Sequence, residues 1–528
     1  MPAALAPLRH PAFRLLWLAN LAANIGLWVQ NTGAGWMMTS LDPSPIMVSL
    51  VQAASMLPVF LLALPAGAAA DIIDRRLYLI GAQAWVLSVA ALLAVLAFTG
   101  WIGPWGLLAF TFFIGIGNAL NFPAWAATTP ELVPREDLVQ AIALNGIGFN
   151  LSRTLGPAIG GFAIGAAGVE AAFALNALCF LTLLLALLAW KREAPVSTLP
   201  PEHFLGAMRA GLRFVAASPA MRATILRACV FFFFTSAVWG MLPLVVRQGL
   251  GLGPEAFGLM LGLMGVGAVA TGFALPALRP RLPTRGGMVT AFSLVSAAAL
   301  ALLGLAGHWA LAGIAMLMFG AGWLAAASTL QAAAQFATPA WVRARAIGIY
   351  QLCFFGAMTV GAVLWGWAGA RFGVAPALLI AAVTCAAAAL AVRGHSLDAA
   401  PTGEAPSVAM PHPEAPAAEL RHILEAHPGR VLEAVRYTVD PAERARFLAA
   451  MREVRRVRLR SGAIAWRLLE DVAHPERWIE LWSVESWAEH LREAERLDVA
   501  DRAALARAAA FQSAERPIEA ARYLSVQP

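Results

Sequence analysis

The sequence predicts an all-α membrane protein of twelve transmembrane helices in two six-helix repeats, followed by a small α+β ferredoxin-like cytoplasmic domain. Three observations predict it. Of the 528 residues, 60% are hydrophobic and only 13% charged, too little polar surface to cover a soluble globule of this length. Residues 13–393 divide into twelve apolar stretches of about 20 residues, the length that crosses a bilayer. Composition then changes abruptly: residues 1–393 hold 20 Lys/Arg against 10 Asp/Glu, whereas residues 394–528 hold 18 against 21.

Taken in order, the expected spans are 13–38, 46–70, 77–99, 104–127, 139–166, 170–190, 223–248, 255–278, 287–306, 309–334, 345–370 and 374–393. The opening residues, MPAALAPLRHPAFRLLW, lack a short apolar core followed by a small-residue cleavage site, so the first segment reads as a retained span. One set of loops carries Arg9, Arg14, Arg75, Arg76, Arg135, Lys191, Arg192, Arg209, Arg213, Arg222, Arg279, Arg281, Arg285, Arg343, Arg345 and Arg393; the alternate set carries little beyond Arg247 and Arg371. Because Lys and Arg accumulate on the cytoplasmic side, the expectation is a multi-pass protein of the bacterial inner (plasma) membrane with both termini cytoplasmic. The net charge of +7 is then a topology signal, pointing to membrane lipid and away from nucleic acid. Cys179, Cys229, Cys353 and Cys385 lie far apart in apolar segments without metal-ligand spacing. The chain has one lysine, Lys191, and no glycine-rich phosphate loop, so no metal or other cofactor is expected.

The longest interruption, KREAPVSTLPPEHFLGAMRAGLRFVAASPAMR, falls after the sixth span. Residues 1–192 and 223–393 thus form two six-helix halves around a cytoplasmic central loop at 193–222. At an offset of 205 residues, Gly67 aligns with Gly272, Ala141 with Ala346, Gly156 with Gly361 and Gly161 with Gly366. Repeated halves place a small-molecule site at their interface near the bilayer midplane. Residues 394–429, rich in Pro and Ala, read as a flexible linker, and residues 430–528 as a soluble domain. There, VLEAVRYTV alternates as a strand, and DPAERARFLAAMREVRRVRL opens with Asp440 as N-cap, Pro441 at the first helical position and Glu443 closing a capping box. AIAWRLLE and RWIELWSV are strands, SWAEHLREAERL a second helix and RYLSV a last strand. The order β-α-β-β-α-β is that of a split βαβ, ferredoxin-like sheet.

Within this frame, GAAADIIDRR (Gly67 to Arg76) puts charge at the exit of the second span. A topology loop accounts for Arg75 and Arg76 but not for Asp71, since a carboxylate at a membrane helix end is costly without a partner. GPAIGG in the fifth span, with Gly156, Pro157, Gly160 and Gly161, suits close helix packing and bending. Arg153, inside the same span, costs at least about 2.5 kcal/mol on insertion scales. It must face the interior or a wet cavity, either as a structural cation bonded to carbonyls or as an anion-attracting residue in a substrate path. At about 100° per residue, Asn20, Asn24, Asn31 and Gly35 share a stripe of the first helix beside Trp28. Asn118, Asn121 and Trp125 do so on the fourth, and Asn145, Ser152 and Gly156 on the fifth, with Arg153 at the margin. Such stripes either glue helices together by hydrogen bonds or line a cavity for a large amphipathic, anionic ligand; the set as a whole favours the cavity. The C-terminal half offers Gln331, Gln335, Tyr350 and Gln351. No Asp, Glu or His lies deep in any expected span.

The six-plus-six pattern and the charged loop resemble the major facilitator superfamily. Its loop between the second and third helices carries glycine, three residues, aspartate, a basic residue, any residue, glycine, arginine and a basic residue. Gly67, Asp71, Arg75 and Arg76 match; Ile72 and Asp74 depart. GPAIGG resembles the superfamily's antiporter signature, with Ala143 and Ser152 where further glycines stand. FRLLWLANLAANIGLWVQNTGAGWMM, LPAGAAAD, PAWAATTPELV and LSRTLGPAIGG are similar to the group that includes enterobactin exporters and transmembrane secretion effectors. The resemblance covers most of residues 8–393. It implies a secondary active exporter of a small amphipathic, siderophore- or drug-like molecule, working by alternating access and proton antiport. It also implies gating by Gly67, Asp71, Asp74, Arg75 and Arg76, with Asp71 facing the start of the eleventh helix near Arg343 to Ala346. The tail resembles the dimeric barrels that include antibiotic-biosynthesis monooxygenases, which implies a homodimer through this domain. Trp466, Trp478, Trp482 and His490 either line a pocket there or form core or dimer interface. Residues 394–528 contain no asparagine, on which those enzymes commonly rely. A membrane-tethered enzyme with monooxygenase-like chemistry in the tail is the alternative reading, but the repeated spans exceed what tethering needs, so an enzyme is not expected.

Overall fold

The structure, a computed structural model, describes residues 3–191, 204–278, 280–282, 284–339, 342–397, 430–487, 490, 493, 497, 499–513 and 516–524. The expectations for residues 193–203, for most of the linker and for most of the helix at 486–497 lie outside the described residues. The chain forms two compact units: Met1–Pro200, Thr224–Ala332 and Tyr350–Ser396 in the first, and Pro201–Ala223, Ala333–Ile349 and Leu397–Pro528 in the second.

The helices are α1 (Pro11–Leu41), α2 (Pro45–Ile72), α3 (Arg75–Phe98), α4 (Pro104–Leu132), α5 (Leu138–Ala167), α6 (Val169–Ala189), α7 (Phe204–Ala217), α8 (Pro219–Leu244), α9 (Pro254–Leu278), α10 (Arg285–Gly304), α11 (Trp309–Phe336), α12 (Arg343–Phe372) and α13 (Val374–Ala391). Among the described residues, eleven helices are long and apolar enough to cross a membrane. α5 is not one of the eleven. Its 30 residues have the length, but its amides, Arg153 and glycines lower its hydropathy. α7 is a helix within the stretch expected as a loop.

Starts and stops follow from local chemistry. Proline opens α1, α2 and α4, where its missing N–H costs nothing. Gly168 and Gly373 make the breaks before α6 and α13 at φ of 85° and 93°, a left-handed conformation that glycine adopts without penalty. These two glycines are again 205 residues apart. α1 packs against α5 and α6, α2 and α3 against α4, and α10 against α13, while α5 joins the two halves by packing on α9. Arg227, buried in α8, donates to the carbonyls of Gly286 (2.7 Å), Val392 (3.2 Å) and Arg393 (2.5 Å), so a cation inside a span is held by three carbonyl dipoles.

In the second unit, β1 (Val431–Thr438), α14 (Arg444–Ser461), β2 (Ala465–Glu470), β3 (Arg477–Val484), α15 (Val499–Ala509) and β4 (Glu519–Leu524) build a four-stranded antiparallel sheet in the order β2-β3-β1-β4. Alternation sets the register, with Val431, Val435, Tyr437, Trp478, Trp482 and Val484 in one core with Phe447, Met451 and Val454 of α14. The expected capping box is replaced: Asp440 accepts from Ala442 N (2.9 Å) to cap a 3-10 turn, and Glu443 pairs with Arg446 (2.7 Å). The extra turn moves the start of α14 to Arg444, leaving Glu443 beside a cation and not above Asp440.

Candidate functional site

Consecutive spans alternate in direction, so the first unit has a basal end, where α1 begins, and a distal end, where α1 finishes. The charged stretch after α2 lies at the basal end and ties three helices of the N-terminal half. Asp74 is the N-cap of α3 and accepts from Leu77 N at 3.0 Å. Arg75 pairs with Glu131 of α4 at 2.5 Å. Arg76 donates to Leu187 O (3.1 Å) and Leu188 O (2.8 Å), the unsatisfied carbonyls that end α6. Gly67 and Asp71 occupy the last turns of α2, and the side chain of Asp71 lies outside the described residues. Close by, His10 Nε2 and Asp137 Oδ2 meet at 2.9 Å.

The glycine-rich stretch of α5 is a packing surface. A Cβ on Gly156 would lie 2.4 Å from Trp28 Cβ, and one on Gly160 would lie 3.1 Å from Val29 Cα, so both let α1 approach. Gly161 turns to the other half: a Cβ there would stand 2.6 Å from Gly258 Cα and 2.8 Å from Pro254 O. Pro157 O lies equally near the Cβ position of Gly258. Further out, Arg247 donates to Thr39 Oγ1 (2.8 Å) and to Ser40 Oγ, and its guanidinium lies 5.4 Å from the Trp36 ring. Gln248 donates to Pro43 O (3.2 Å). Arg247 and Gln248 sit in the π-helical turn Val245–Gly249 that ends α8, a widened turn frequent at functional positions. Hydrogen bonds thus join the halves at the distal end.

Between the halves lies a cavity of about 440 Å³, lined by α1, α2 and α5 from one half and α8, α9, α11 and α12 from the other. Its wall is aromatic: Trp28 lies 5.8 Å from Trp239, Trp239 5.6 Å from Trp323, and Phe232 4.2 Å from Phe354 between ring centroids. Polar groups on the wall include Asn31, Gln52, Asn150, Gln331, Tyr350 and Gln351. Among the described residues, the lining contains one charged residue, Arg153, and no Asp, Glu or His. Among the described residues, no hydrogen bond or ion pair engages the Arg153 guanidinium. A cation on a largely apolar wall, without a partner among the described residues, attracts whatever anion can reach it.

Of the residues expected around a cavity, Trp28, Asn31, Gly35, Arg153, Gln331, Tyr350 and Gln351 line it. Asn20, Asn24, Asn118, Asn121, Trp125 and Asn145 are not among the lining residues, and helix packing accounts for several. Asn24 donates to Asn20 O (2.8 Å), Gln83 to Asn121 Oδ1 (2.8 Å) between α3 and α4, and Asn145 to Thr129 Oγ1 (3.0 Å) between α5 and α4. No described residue of α4 is among the lining residues. Sequence reasoning missed Gln52, Asn150 and the tryptophans Trp239 and Trp323. Trp239 on α8 and Trp323 on α11 are aromatics within apolar runs, the same signal as a lipid-facing surface, and Gln52 on α2 and Asn150 on α5 stand outside the asparagine stripes.

In the C-terminal domain, the residues read as either pocket or core bond to one another and to their neighbours. Glu480 accepts from Tyr437 Oη (3.1 Å), Trp466 Nε1 (3.0 Å) and Arg458 Nε (3.1 Å); Glu493 accepts from Arg458 Nη1 (3.2 Å) and Trp482 Nε1 (3.1 Å). His490 meets Glu433. Burial raises the Glu493 carboxyl above its ordinary range, opposed by Arg458 and reinforced by Glu433. Burial and the negative charge of Glu480 hold the Tyr437 phenol well above its own range. Glu433, His490 and Glu493 bring ligand-type atoms within 4.8 Å of one another, but Arg458 already occupies the acceptor face of Glu493, so the residues do not fit a cation.

A protein-family model described as transmembrane secretion effector matches residues 2–528. The chain is 27% identical over 375 residues to the enterobactin exporter EntS of Shigella flexneri, covering 68% of this chain and 86% of that protein. It is 27% identical over 235 residues to the uncharacterized MFS-type transporter YfiS of Bacillus subtilis, covering 44% of this chain and 55% of that one. In fold it is similar to a bacterial homologue of the human lysosomal transporter Spinster in an inward-facing, unoccupied conformation (TM-score 0.59, 13% identity, 75% of this chain and 98% of that one). A POT family transporter in complex with 5-aminolevulinic acid is also similar (TM-score 0.61, 12% identity, 73% and 96%). The relatives and the fold are those of transporters and not of enzymes.

Proposed function

Because the chain belongs to the transmembrane secretion effector family, we propose that it is a secondary active transporter of the bacterial inner membrane that exports a small amphipathic, anionic molecule by alternating access. The observation that carries this reading is Arg153, a cation with no bonded partner among the described residues, on the wall of an aromatic cavity lined by early and late helices of the membrane unit. The enterobactin exporters among the relatives make siderophore-like compounds the first class to test. The reading takes α5 as the twelfth span and, from the arginine-rich loops, both termini as cytoplasmic. The distal end then faces outward, and the hydrogen bonds across it support an inward-facing state, one of the two between which such a transporter moves.

The described residues of the cavity wall include no carboxylate or histidine, so the reading assigns proton antiport to groups away from it. The basal pair of His10 and Asp137 is the described candidate. For gating, the proposal rests on Gly67 and Asp71, while Asp74, Arg75 and Arg76 build the frame around them. In the tail, the strand order β2-β3-β1-β4 supports a ferredoxin-like accessory module. Exposed Leu432, Leu469 and Tyr523 on one sheet face suit a homodimer through it.

The test is efflux from a deletion strain carrying Arg153→Ala. A charge-assisted contact is worth about 1.5–3 kcal/mol, so export of anionic compounds should fall roughly tenfold or more, with neutral compounds of similar size little affected and membrane levels normal. Equal loss for both classes would return Arg153 to a structural role.

A further inference from the structure

α7 stands in the segment between the two halves, and in the second unit it is held on two sides. On one side it packs against α14 of the soluble domain, and Arg213 Nη2 lies 3.9 Å from Glu485 Oε2, one residue past β3. On the other side it meets the start of α12: a Cβ on Gly211 would lie 2.9 Å from Arg345 Cβ and 3.5 Å from Ile349 Cδ1. Phe214, on the same helix, is fully buried.

Both helices that α7 touches or adjoins lead to the cavity. α12 is one unbroken helix from Arg343 to Phe372; its first turns face α7, and its next turns supply Tyr350, Gln351 and Phe354 to the cavity wall. α8 begins two residues after α7 ends, with Ser218 Oγ accepting from Met221 N (3.3 Å) across the junction, and supplies Phe232 and Trp239. A shift of α7 therefore moves two walls of the cavity. Gly211 leaves no side chain between α7 and α12 to absorb it.

We propose that the C-terminal domain regulates the transport cycle by gripping α7, through α14 and the Arg213–Glu485 contact, and so sets the position of the start of α12. This rests on the transporter reading for its meaning but is tested without transport. By holding α7, the domain favours the arrangement in which the cavity is reached from the basal end. Weakening its grip lowers that population.

The experiment uses the full chain with Cys179, Cys229, Cys353 and Cys385 replaced by Ser and one reporter thiol introduced by Gln331→Cys. The thiol is labelled in inside-out vesicles by a membrane-impermeant maleimide. Glu485→Arg and Arg213→Glu should each slow labelling about two- to fivefold, the range open to a partly exposed pair, and the double exchange should restore it. Gly211→Leu, which wedges α7 from α12, should make labelling insensitive to Glu485→Arg. Two results would overturn the proposal: no restoration in the double exchange, or a Glu485→Arg effect that persists undiminished beside Gly211→Leu. Because efflux is not the readout, a failure to export any compound bears on the transporter reading alone.

Discussion

Removing the guanidinium of Arg247 should release the distal end. In the structure it makes two hydrogen bonds to hydroxyls of α1 and lies over Trp36. The site is half-exposed, so each bond counts at the lower, solvent-compensated level of about 0.5–1 kcal/mol. The ring contact adds about 0.5–1 kcal/mol at an exposed site. Arg247→Ala then costs the closed distal end about 1.5–3 kcal/mol, which at 1.4 kcal/mol per factor of ten shifts the balance roughly 10- to 150-fold toward opening. The assay is labelling of a thiol introduced by Gln52→Cys on the cavity wall, with an impermeant reagent added outside intact cells of a strain whose transporter lacks the native cysteines. Labelling should rise steeply in Arg247→Ala and less in Arg247→Lys, which keeps charge and one donor. If folded Arg247→Ala labels no faster than its parent, the contact is not a latch and the reasoning fails.

Two further outcomes are expected. Asp71→Asn removes charge but not size, so it should cost the outward-facing state about 0.3–1 kcal/mol if that carboxylate faces a helix N-terminus. Labelling of the Gln331→Cys reporter from the basal side should rise, and unchanged labelling with unchanged efflux would make the stretch a solvated loop. In the soluble domain, the folded state holds a proton on Glu493 at pH values where the unfolded chain has lost it. This contribution to stability is full below the ordinary carboxylate range and is lost as pH rises through the raised value. Glu493→Gln mimics the protonated form, so urea melts of residues 430–528 should show a flatter pH dependence and a relative gain at neutral pH. Parallel pH curves for variant and parent would show that the cluster shares no proton.

How much of this was legible depended on which physics each residue obeys. Span positions follow from continuous apolarity and proline starts, so α1, α4 and α9 fall close to expectation. α7 escaped because Arg209 and Arg213 read as topology charges, although Phe204, Leu205, Met208, Leu212 and Val215 recur at the three- and four-residue spacing of an amphipathic helix. Arg227 falls inside the expected span 223–248, four residues from its start, and near a span boundary a buried cation and a loop cation look alike in sequence. The asparagine stripes were visible, but periodicity says which residues share a face and not what that face meets. Asn121 and Asn145 meet neighbouring helices, while Asn31 meets the cavity. Arg153 could be singled out because desolvation leaves a charge in a span few choices.

The meeting of Gly161 with Gly258 has a mechanical consequence. Main chain touches main chain there, without rotamers to reset, so the halves can tilt about that point as about a fulcrum. Its two arms are unequal: Leu138 lies 23 residues before Gly161 along α5, and Ala167 six residues after it. At 1.5 Å per residue these are arms of about 35 Å and about 9 Å, so a tilt of about 10° swings the basal tip by about 6 Å and the distal tip by only about 1.5 Å. Rocking alone closes the basal mouth far more readily than it opens the distal one, and the rest of the outward opening has to come from local movement of the π-helical turn that carries Arg247.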